Sequence, residues 1–315
     1  MMNVSRAEIE QAIVNTVSYV DAFDYPLTLA EIHRYLINLP LSLNTVYEAL
    51  NKRTLVPHRL RRVGRYYMLP GRDEVVNTRQ QRLASAERLW PEALAYGRLI
   101  ARLPFVRMVG VTGSLAVSNV GPAEDIDYMI VTADDHLWVC RAFVILLVRW
   151  AARRAIALCP NYFLAESALR LSTQNLYTAH ELTQMVPLFG LPVYHTLRRL
   201  NAWTDRFLPN AQGTPALPVA AHVSQPPRPI PGRNGIETLF NSRPGRWLDR
   251  VEMGRKIRRF RDEHPGSQEA EFSAECCKGH FNQHQQRTIQ AFERLINEQT
   301  HLESPVEEPA IRASV

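Results

Sequence analysis

The segment Val106–Thr132 limits the fold of this 315-residue chain more than any other stretch. Residues 106–111 are rich in β-branched side chains and predict a strand. Gly113-Ser114 follow directly and predict a turn into a short helix. A second apolar strand comes next and carries Asp125-Ile126-Asp127. Because strands and helices continue to alternate up to about residue 166, the sequence predicts an α/β domain built on a sheet.

The polar residues of this segment suit phosphate and metal binding. Side chains alternate along a strand, so Asp125 and Asp127 point to one face, about 6–7 Å apart at the backbone. Two such carboxylates can hold one or two Mg²⁺ ions, which prefer oxygen ligands. Gly113 lets the backbone approach a phosphate closely, and Ser114 adds a hydroxyl donor at a helix start. Together these residues predict a phosphoryl-transfer site.

The same pattern resembles the nucleotidyltransferase superfamily typified by DNA polymerase beta and the kanamycin nucleotidyltransferases. The match is Gly113-Ser114, ten intervening residues, and then Asp125-x-Asp127 with an apolar strand after it. This resemblance implies an α/β (α+β) core with a small mixed sheet. It also implies Mg²⁺-dependent transfer of a nucleoside monophosphate from a nucleoside triphosphate to an acceptor, which is a small molecule, a protein or a nucleic acid. Gly113 and Ser114 would hold the triphosphate, and Asp125 and Asp127 the metals.

This sequence differs from the family pattern at the position of the third acidic residue. The resemblance implies a carboxylate on the next strand, which we predict over residues 161–166. Asn161 stands at the expected position, and Glu166 lies at or beyond the strand's end. We therefore expect Asn161 as a metal ligand and Glu166 as the third catalytic residue. Because asparagine cannot act as a base, two alternatives stay open: a nucleotide-binding regulator with weak or no turnover, and a pure interaction module.

The first 70 residues predict a winged helix. Ser5 is placed to cap a first helix, and Thr28 with Glu31 three residues later forms a capping-box pattern for a second. A third helix is expected from about Ser42. Two strands, Leu55–Leu60 and Arg65–Leu69, complete the element order.

Charge makes DNA a candidate partner of this unit. The chain has a net charge of +6, with 34 arginines against three lysines. Residues near the predicted hairpin supply a cationic group: Arg53, His58, Arg59, Arg61, Arg62 and Arg65. Such a group suits phosphate contacts. The alternative is a protein-docking or substrate-positioning module with solvated arginines, which we favour because the third helix offers few side chains suited to base edges.

Composition divides the rest of the chain. A hydrophobic content of 46% excludes wholesale disorder. Four cysteines and no apolar leader favour a cytoplasmic protein. The apolar stretch Leu137–Leu158 is interrupted by arginines, so we expect a buried helix and no membrane contact. The predicted divisions are 1–72 (winged helix), 73–208 (nucleotidyltransferase domain), 209–234 (proline-rich linker), 235–302 (helical region) and 303–315 (loose tail).

Two further motifs have an ordinary and a functional interpretation. Asn175, Tyr177 and His180 could face an acceptor, with His180 as a base, but a helix cap and packing explain them equally and are preferred. Cys277, His280 and His284 have helical spacing that suits zinc. A closed zinc site needs four ligands, so we favour a helical face with buried thiols.

Overall fold

The computed structural model describes residues 4–122, 125–215, 228–263, 271–279 and 290. Helices and a mixed sheet make up the described chain, which is therefore α+β, as predicted. The elements of its first 70 residues, called here the N-terminal unit, are α1 (Arg6–Asp21), β1 (Leu27–Thr28), α2 (Leu29–Arg34), α3 (Leu43–Leu50), β2 (Arg61–Val63) and β3 (Tyr66–Met68).

Side-chain caps fix where the first helices begin. The Ser5 hydroxyl accepts from the Glu8 amide, and the Glu8 carboxylate accepts from the Ser5 amide. Thr28 and Glu31 make the same reciprocal pair at the start of α2. Each box satisfies backbone N–H groups that have no partner within the helix. The predicted cap of α3 is also present, because the Ser42 hydroxyl accepts from the Thr45 amide.

The strand predicted over Leu55–Leu60 is absent from these described residues, and a series of turns occupies the segment. The Arg59 and Leu60 amides both donate to the Leu55 carbonyl, which pulls the chain into a compact loop. Pro57 has no N–H to give to a sheet. Leu55 and Leu60 are fully buried. These apolar side chains are therefore buried in a loop, and the hairpin forms later, from β2 and β3.

The remaining elements surround one larger sheet. They are α4 (Val75–Ala101), β4 (Val106–Val111), α5 (Gly113–Ala116), β5 (Ile126–Thr132), α6 (Leu137–Ala152), β6 (Leu158–Ala165), a 3₁₀ turn (Glu166–Ala168), α7 (Leu176–Gln184), β7 (Val186–Phe189), α8 (Leu191–Leu200), α9 (Thr204–Phe207), α10 (Arg233–Asn241), α11 (Arg243–Glu263), β8 (Glu271–Phe272) and β9 (Cys276–Lys278).

The larger sheet has the strand order β7-β4-β5-β6-β9-β8. Only β5 and β6 are parallel among the described pairs, because α6 crosses over between them, and the other pairs are antiparallel. The β5–β6 register contains one irregularity. Asp127 pairs with Cys159 and Met129 with Tyr162, so β6 carries one extra residue between them.

The two faces of this sheet pack against different partners. We call the face of Asp127, Met129 and Val131 the front face; Met129 and Val131 share a core there with α7, α8 and the N-terminal unit. The rear face carries Tyr128 and Ile130, which pack against α4 and α6. The N-terminal unit is thus joined to the sheet through a continuous apolar core on the front face.

The C-terminal region differs from the predicted run of helix. α10 and α11 are two helices that meet at Ser242, just before Pro244. Residues 271–272 and 276–278 are strands, although they belong to the region 235–302 that was expected to be helical. These strands complete the hydrogen bonding of β6 at the sheet edge, so sheet pairing overrides local helix preference. The proline-rich centre, residues 216–227, and the tail lie outside the described residues.

The apolar helix predicted near residue 137 forms as α6 and ends at Ala152, earlier than the expected Leu158. Its residues Leu137, Trp138, Cys140 and Val144 are fully buried against the sheet. In the described part of the chain, no helix combines the length and apolarity needed to cross a bilayer.

Candidate functional site

Asp125 and Asp127 lie together at the start of β5, and a third ligand type joins them. One carboxylate oxygen of each aspartate and the Cys159 Sγ all lie within 4.8 Å of one another. Among the described residues, this is the group of histidine, cysteine and acidic side chains close enough to hold a metal ion. The prediction that the two aspartates converge therefore agrees with the structure.

Cys159 was missed by sequence analysis because the strand was expected to begin at Asn161. β6 begins earlier, at Leu158, and its parallel register sets Cys159 beside Asp127. A signal was present in the sequence, since apolar residues precede Cys159. Burial, together with the two neighbouring carboxylates, raises the pKa of the Cys159 thiol well above its usual range. The thiol is therefore protonated at neutral pH and hydrogen-bonds to the aspartates.

Gly113 is required at its position by both conformation and space. Its φ is +65°, in the left-handed region that favours glycine. A Cβ at this position would overlap the Asp127 Oδ2 atom. The turn is closed against β5 by the Thr112 amide, which donates to the Asp127 carbonyl at 3.1 Å. The structure thus places the predicted phosphate turn, Gly113-Ser114, in contact with the predicted metal ligand.

Asn161 lies beside the same carboxylate. Its Nδ2 donates to Asp127 Oδ1 at 2.8 Å. The extra residue in β6 lets Cys159 and Tyr162, three positions apart, pair with Asp127 and Met129 on the same face, and Asn161 lies in the irregular stretch between them. The amide group, not a third carboxylate, therefore occupies this place next to Asp127.

Glu166 does not join the group of Asp125, Asp127 and Cys159, although we expected it there as the third catalytic residue. It follows Ala165, which pairs with Thr132 at the far end of β5 from Asp127. Its Oε2 atom lies 3.4 Å from the Nε of Arg107. At about 3.3 Å per residue, five strand residues separate the two ends by roughly 16 Å. Glu166 forms a half-exposed ion pair there and cannot reach a metal held by the aspartates.

His180 has a structural role at the interface with the N-terminal unit. Its ring stacks on Tyr19 with centroids 4.3 Å apart and lies near Tyr35. Burial lowers the pKa of His180 to about 3, so it stays neutral and packed. Asn175 caps α7 by accepting from the Thr178 amide at 2.9 Å. The ordinary interpretation of these residues, a cap and packing, agrees with the structure.

The N-terminal unit and α4 contact the segment that follows Gly113-Ser114, which sequence analysis did not anticipate. The Tyr25 hydroxyl donates to the Val117 carbonyl, three residues after Ser114, at 2.7 Å. Arg79 donates to the same carbonyl and to Glu31, 2.7 Å away. Its guanidinium also lies 3.6 Å from the centre of the Tyr25 ring. These bonds connect the turn to a buried polar network.

The residues considered for zinc, for which we favoured a helical face with buried thiols, do not form a helical face among the described residues. Cys277 lies in β9 opposite Phe163, on the rear face, and Cys276 lies opposite Leu164, on the front face. His280 and His284 lie outside the described residues. The two adjacent thiols therefore point to different cores, as expected for neighbouring residues in a strand.

The cationic group of the N-terminal unit is partly engaged by internal partners. Arg61 Nε lies 3.2 Å from Asp73 Oδ1, and Arg59 donates to Gln11. On α3, the exposed side chains include Leu43 and Tyr47. The exposed face of α3 therefore combines these apolar side chains with the polar side chains of Asn44 and Glu48.

Comparisons with protein-family models, with curated proteins and with solved structures give no match to this chain.

Proposed function

We propose that this protein is a Mg²⁺-dependent nucleotidyltransferase that moves a nucleoside monophosphate from a nucleoside triphosphate to an acceptor. One observation carries the proposal: the Asp127 carboxylate, which lies with that of Asp125, is in direct contact with the left-handed Gly113 turn. A pair of carboxylates for the metal and a glycine turn at a helix start for the phosphates are the two parts that phosphoryl transfer requires in one place.

The donor set fits magnesium. Asp125 and Asp127 supply carboxylate oxygens, and the Asn161 side chain holds Asp127 in place by its hydrogen bond. The protonated Cys159 thiol is a poor ligand for so hard a cation, so it serves as a hydrogen-bond donor to the carboxylates. When bound, Mg²⁺ would lower the pKa of the acceptor hydroxyl and balance the charge of the leaving pyrophosphate. Gly113 and Ser114 orient the triphosphate through backbone N–H groups and one hydroxyl.

The test is pyrophosphate release with Mg²⁺ and each of the four common nucleoside triphosphates, together with a thermal shift for binding. We expect Asp125→Asn combined with Asp127→Asn to remove both signals while the folded protein keeps its stability, because neutral amides relieve carboxylate repulsion. Asp205→Asn, on the exposed start of α9, is the matched control and should change neither. An undiminished nucleotide-induced shift in the double variant would contradict the proposal.

A second candidate is a nucleotide-binding regulator that binds the triphosphate without turnover. The position of Glu166, away from the aspartates, and the amide of Asn161 beside Asp127 favour it. In this candidate the N-terminal unit acts as a winged helix that binds DNA. A Mg²⁺-dependent thermal shift without pyrophosphate release would support the second candidate over the first. Sequence-specific binding to duplex DNA at physiological salt would complete that case.

A further inference from the structure

A separate cavity lies on the front face; its wall begins at Tyr162, one residue along β6 from Asn161, and continues into the turn after β6. It encloses about 330 Å³, between β6, the turn after it, α7 and the hairpin β8–β9. Tyr162 forms part of its wall, and the preceding residue, Asn161, bonds to Asp127. The Gly279 amide also donates to the Asn161 carbonyl at 2.9 Å, directly after the wall residue Lys278. The cavity and the aspartate pair therefore share the same stretch of β6.

Two buried polar residues of the wall point to a ligand. Thr178 is 2% exposed, and its hydroxyl makes no hydrogen bond to any residue that the structure describes. A buried hydroxyl without a partner costs free energy, and a bound ligand group would remove that cost. Lys278 is also buried, with its Nζ 3.9 Å from Glu181 Oε2 and 5.3 Å from the centre of the Tyr162 ring.

The charges of the wall limit the class of ligand. Arg170 and Lys278 are balanced by Glu271 and Glu275, so the described lining has no net charge. A polyanion such as RNA or DNA requires a mainly cationic surface. The volume is at the lower end of the range for small-molecule sites. The lining therefore suits a small molecule in which positive and negative groups are also balanced.

We propose that this cavity binds a small hydroxyl-bearing molecule of zero net charge, such as a zwitterion, and presents its hydroxyl toward Asp127. The role of that hydroxyl as the acceptor rests on the proposed nucleotidyl transfer, whereas the binding does not. The Thr178 hydroxyl and Lys278 contact the polar groups of the ligand inside the cavity. Glu271 and Arg170, both exposed, select its charges at the rim.

The test uses three related probes of different net charge: the dipeptide seryl-glycine, its C-terminal amide and its N-acetyl form. Binding to the full chain is measured without nucleotide by calorimetry and by saturation-transfer NMR. We expect seryl-glycine, the zwitterion, to bind at least fivefold more tightly than the cationic amide or the acetylated anion. Absence of binding by all three, or tighter binding by either charged form, would overturn the proposal.

Variants localise the binding. Thr178→Val should weaken seryl-glycine binding about fivefold, as expected for one lost hydrogen bond. Thr183→Val makes the same change in the same helix, at a buried hydroxyl that donates to the Ala179 carbonyl outside the cavity, and should leave the affinity within twofold. Because Glu271 and Glu275 are exposed, the double variant Glu271→Gln with Glu275→Gln should keep the fold. In this variant, seryl-glycine should no longer bind more tightly than the acetylated anion. Equal affinities across these variants would refute the assignment.

Asp127→Asn separates this inference from the proposed function. The variant should lose the Mg²⁺–triphosphate thermal shift and keep seryl-glycine binding within twofold. If wild type shows no triphosphate binding but the probe pattern holds, the nucleotidyl-transfer proposal fails and the cavity proposal stands. If probe binding is lost in Asp127→Asn, the ligand occupies the aspartate site and the separate cavity is disproved.

Discussion

Two groups of polar side chains differ in their exposure to solvent and in how their charges are paired. One group forms the candidate site, and the other lies at the interface between the N-terminal unit and the sheet. At the site, Asp125, Asp127 and Cys159 converge from two strands and remain accessible to solvent. At the interface, Arg79 is 7% exposed in its side chain and bonds to Glu31 and to a backbone carbonyl. Two nearby like charges repel each other and favour binding of a cation, whereas opposite charges that pair with each other are balanced internally. The first arrangement suits ligand binding and the second suits stability.

The largest effect that separates the two regions should come from Gly113→Val. The side chain would meet a left-handed φ and overlap the Asp127 carboxylate. We expect Mg²⁺–triphosphate affinity, measured by calorimetry, to fall more than 100-fold. Gly64→Val is the matched control, because its φ is +58° but open space surrounds it. Both variants should lose about 1–2 kcal/mol of stability from the φ alone, and only the first should lose binding. Equal binding by the two variants would show that the turn is merely a connection.

The second test breaks the interface. Arg79→Met should lower the free energy of unfolding by about 2 kcal/mol, since it leaves the Glu31 carboxylate, whose side chain is 23% exposed, without its cation. Arg61→Met is the control: its ion pair with Asp73 is half exposed and should contribute less than about 1 kcal/mol. Urea denaturation measures both. Adding Glu31→Gln to Arg79→Met should recover part of the loss, and a purely additive double variant would argue against coupling.

The two regions differ in how much of their structure could be predicted from the sequence. Features that depend on residues a few positions apart were predicted from the sequence. Ser5 and Thr28 cap their helices, and Gly113 forms a turn before the strand that carries Asp127. The network around Arg79 could not be predicted, since it joins residues 31, 79 and 117 through tertiary packing. Periodicity identifies a face but carries no information about which distant residue lies on it.

At the candidate site, the sequence could not predict the register of β6 against β5. The aspartate pair and the glycine turn follow from spacing, whereas the partner on β6 depends on where that strand starts and where it bulges. An expected start at Asn161 left Cys159 unassigned and made Glu166 a candidate. The observed start, three residues earlier, and one extra residue place Cys159 and Asn161 beside Asp127. A register shift of this kind leaves no mark in composition or alternation.

The third test uses pH to probe the interface. The pKa of His180 is lowered to about 3 by burial, against about 6.5 in an unfolded chain. Below pH 6.5 the unfolded state therefore binds more protons, and stability falls as the pH decreases from 6.5 toward 3. At pH 5 this amounts to about 2 kcal/mol. Replacing His180 with Gln should remove this component of the pH dependence in urea denaturation, whereas His195→Gln on the exposed side of α8 should preserve it. An unchanged slope in His180→Gln would contradict the assignment.

The smallest effect is expected at the site, from Ser114→Ala. The substitution removes one hydroxyl and keeps the backbone N–H groups of the turn, which form the larger part of a phosphate cradle. One hydrogen bond contributes about 1 kcal/mol, so triphosphate affinity should fall about fivefold. Stability should not change, because the backbone carbonyl of Ser114, not its hydroxyl, accepts from the Asn119 amide at 2.8 Å. Ser85→Ala on α4, whose hydroxyl donates to the Gln81 carbonyl, should leave affinity unchanged. If Ser114→Ala instead lost stability and kept its triphosphate affinity, the Ser114 hydroxyl would have a structural role like that of the interface residues. The assignment of Ser114 to ligand binding would then be incorrect.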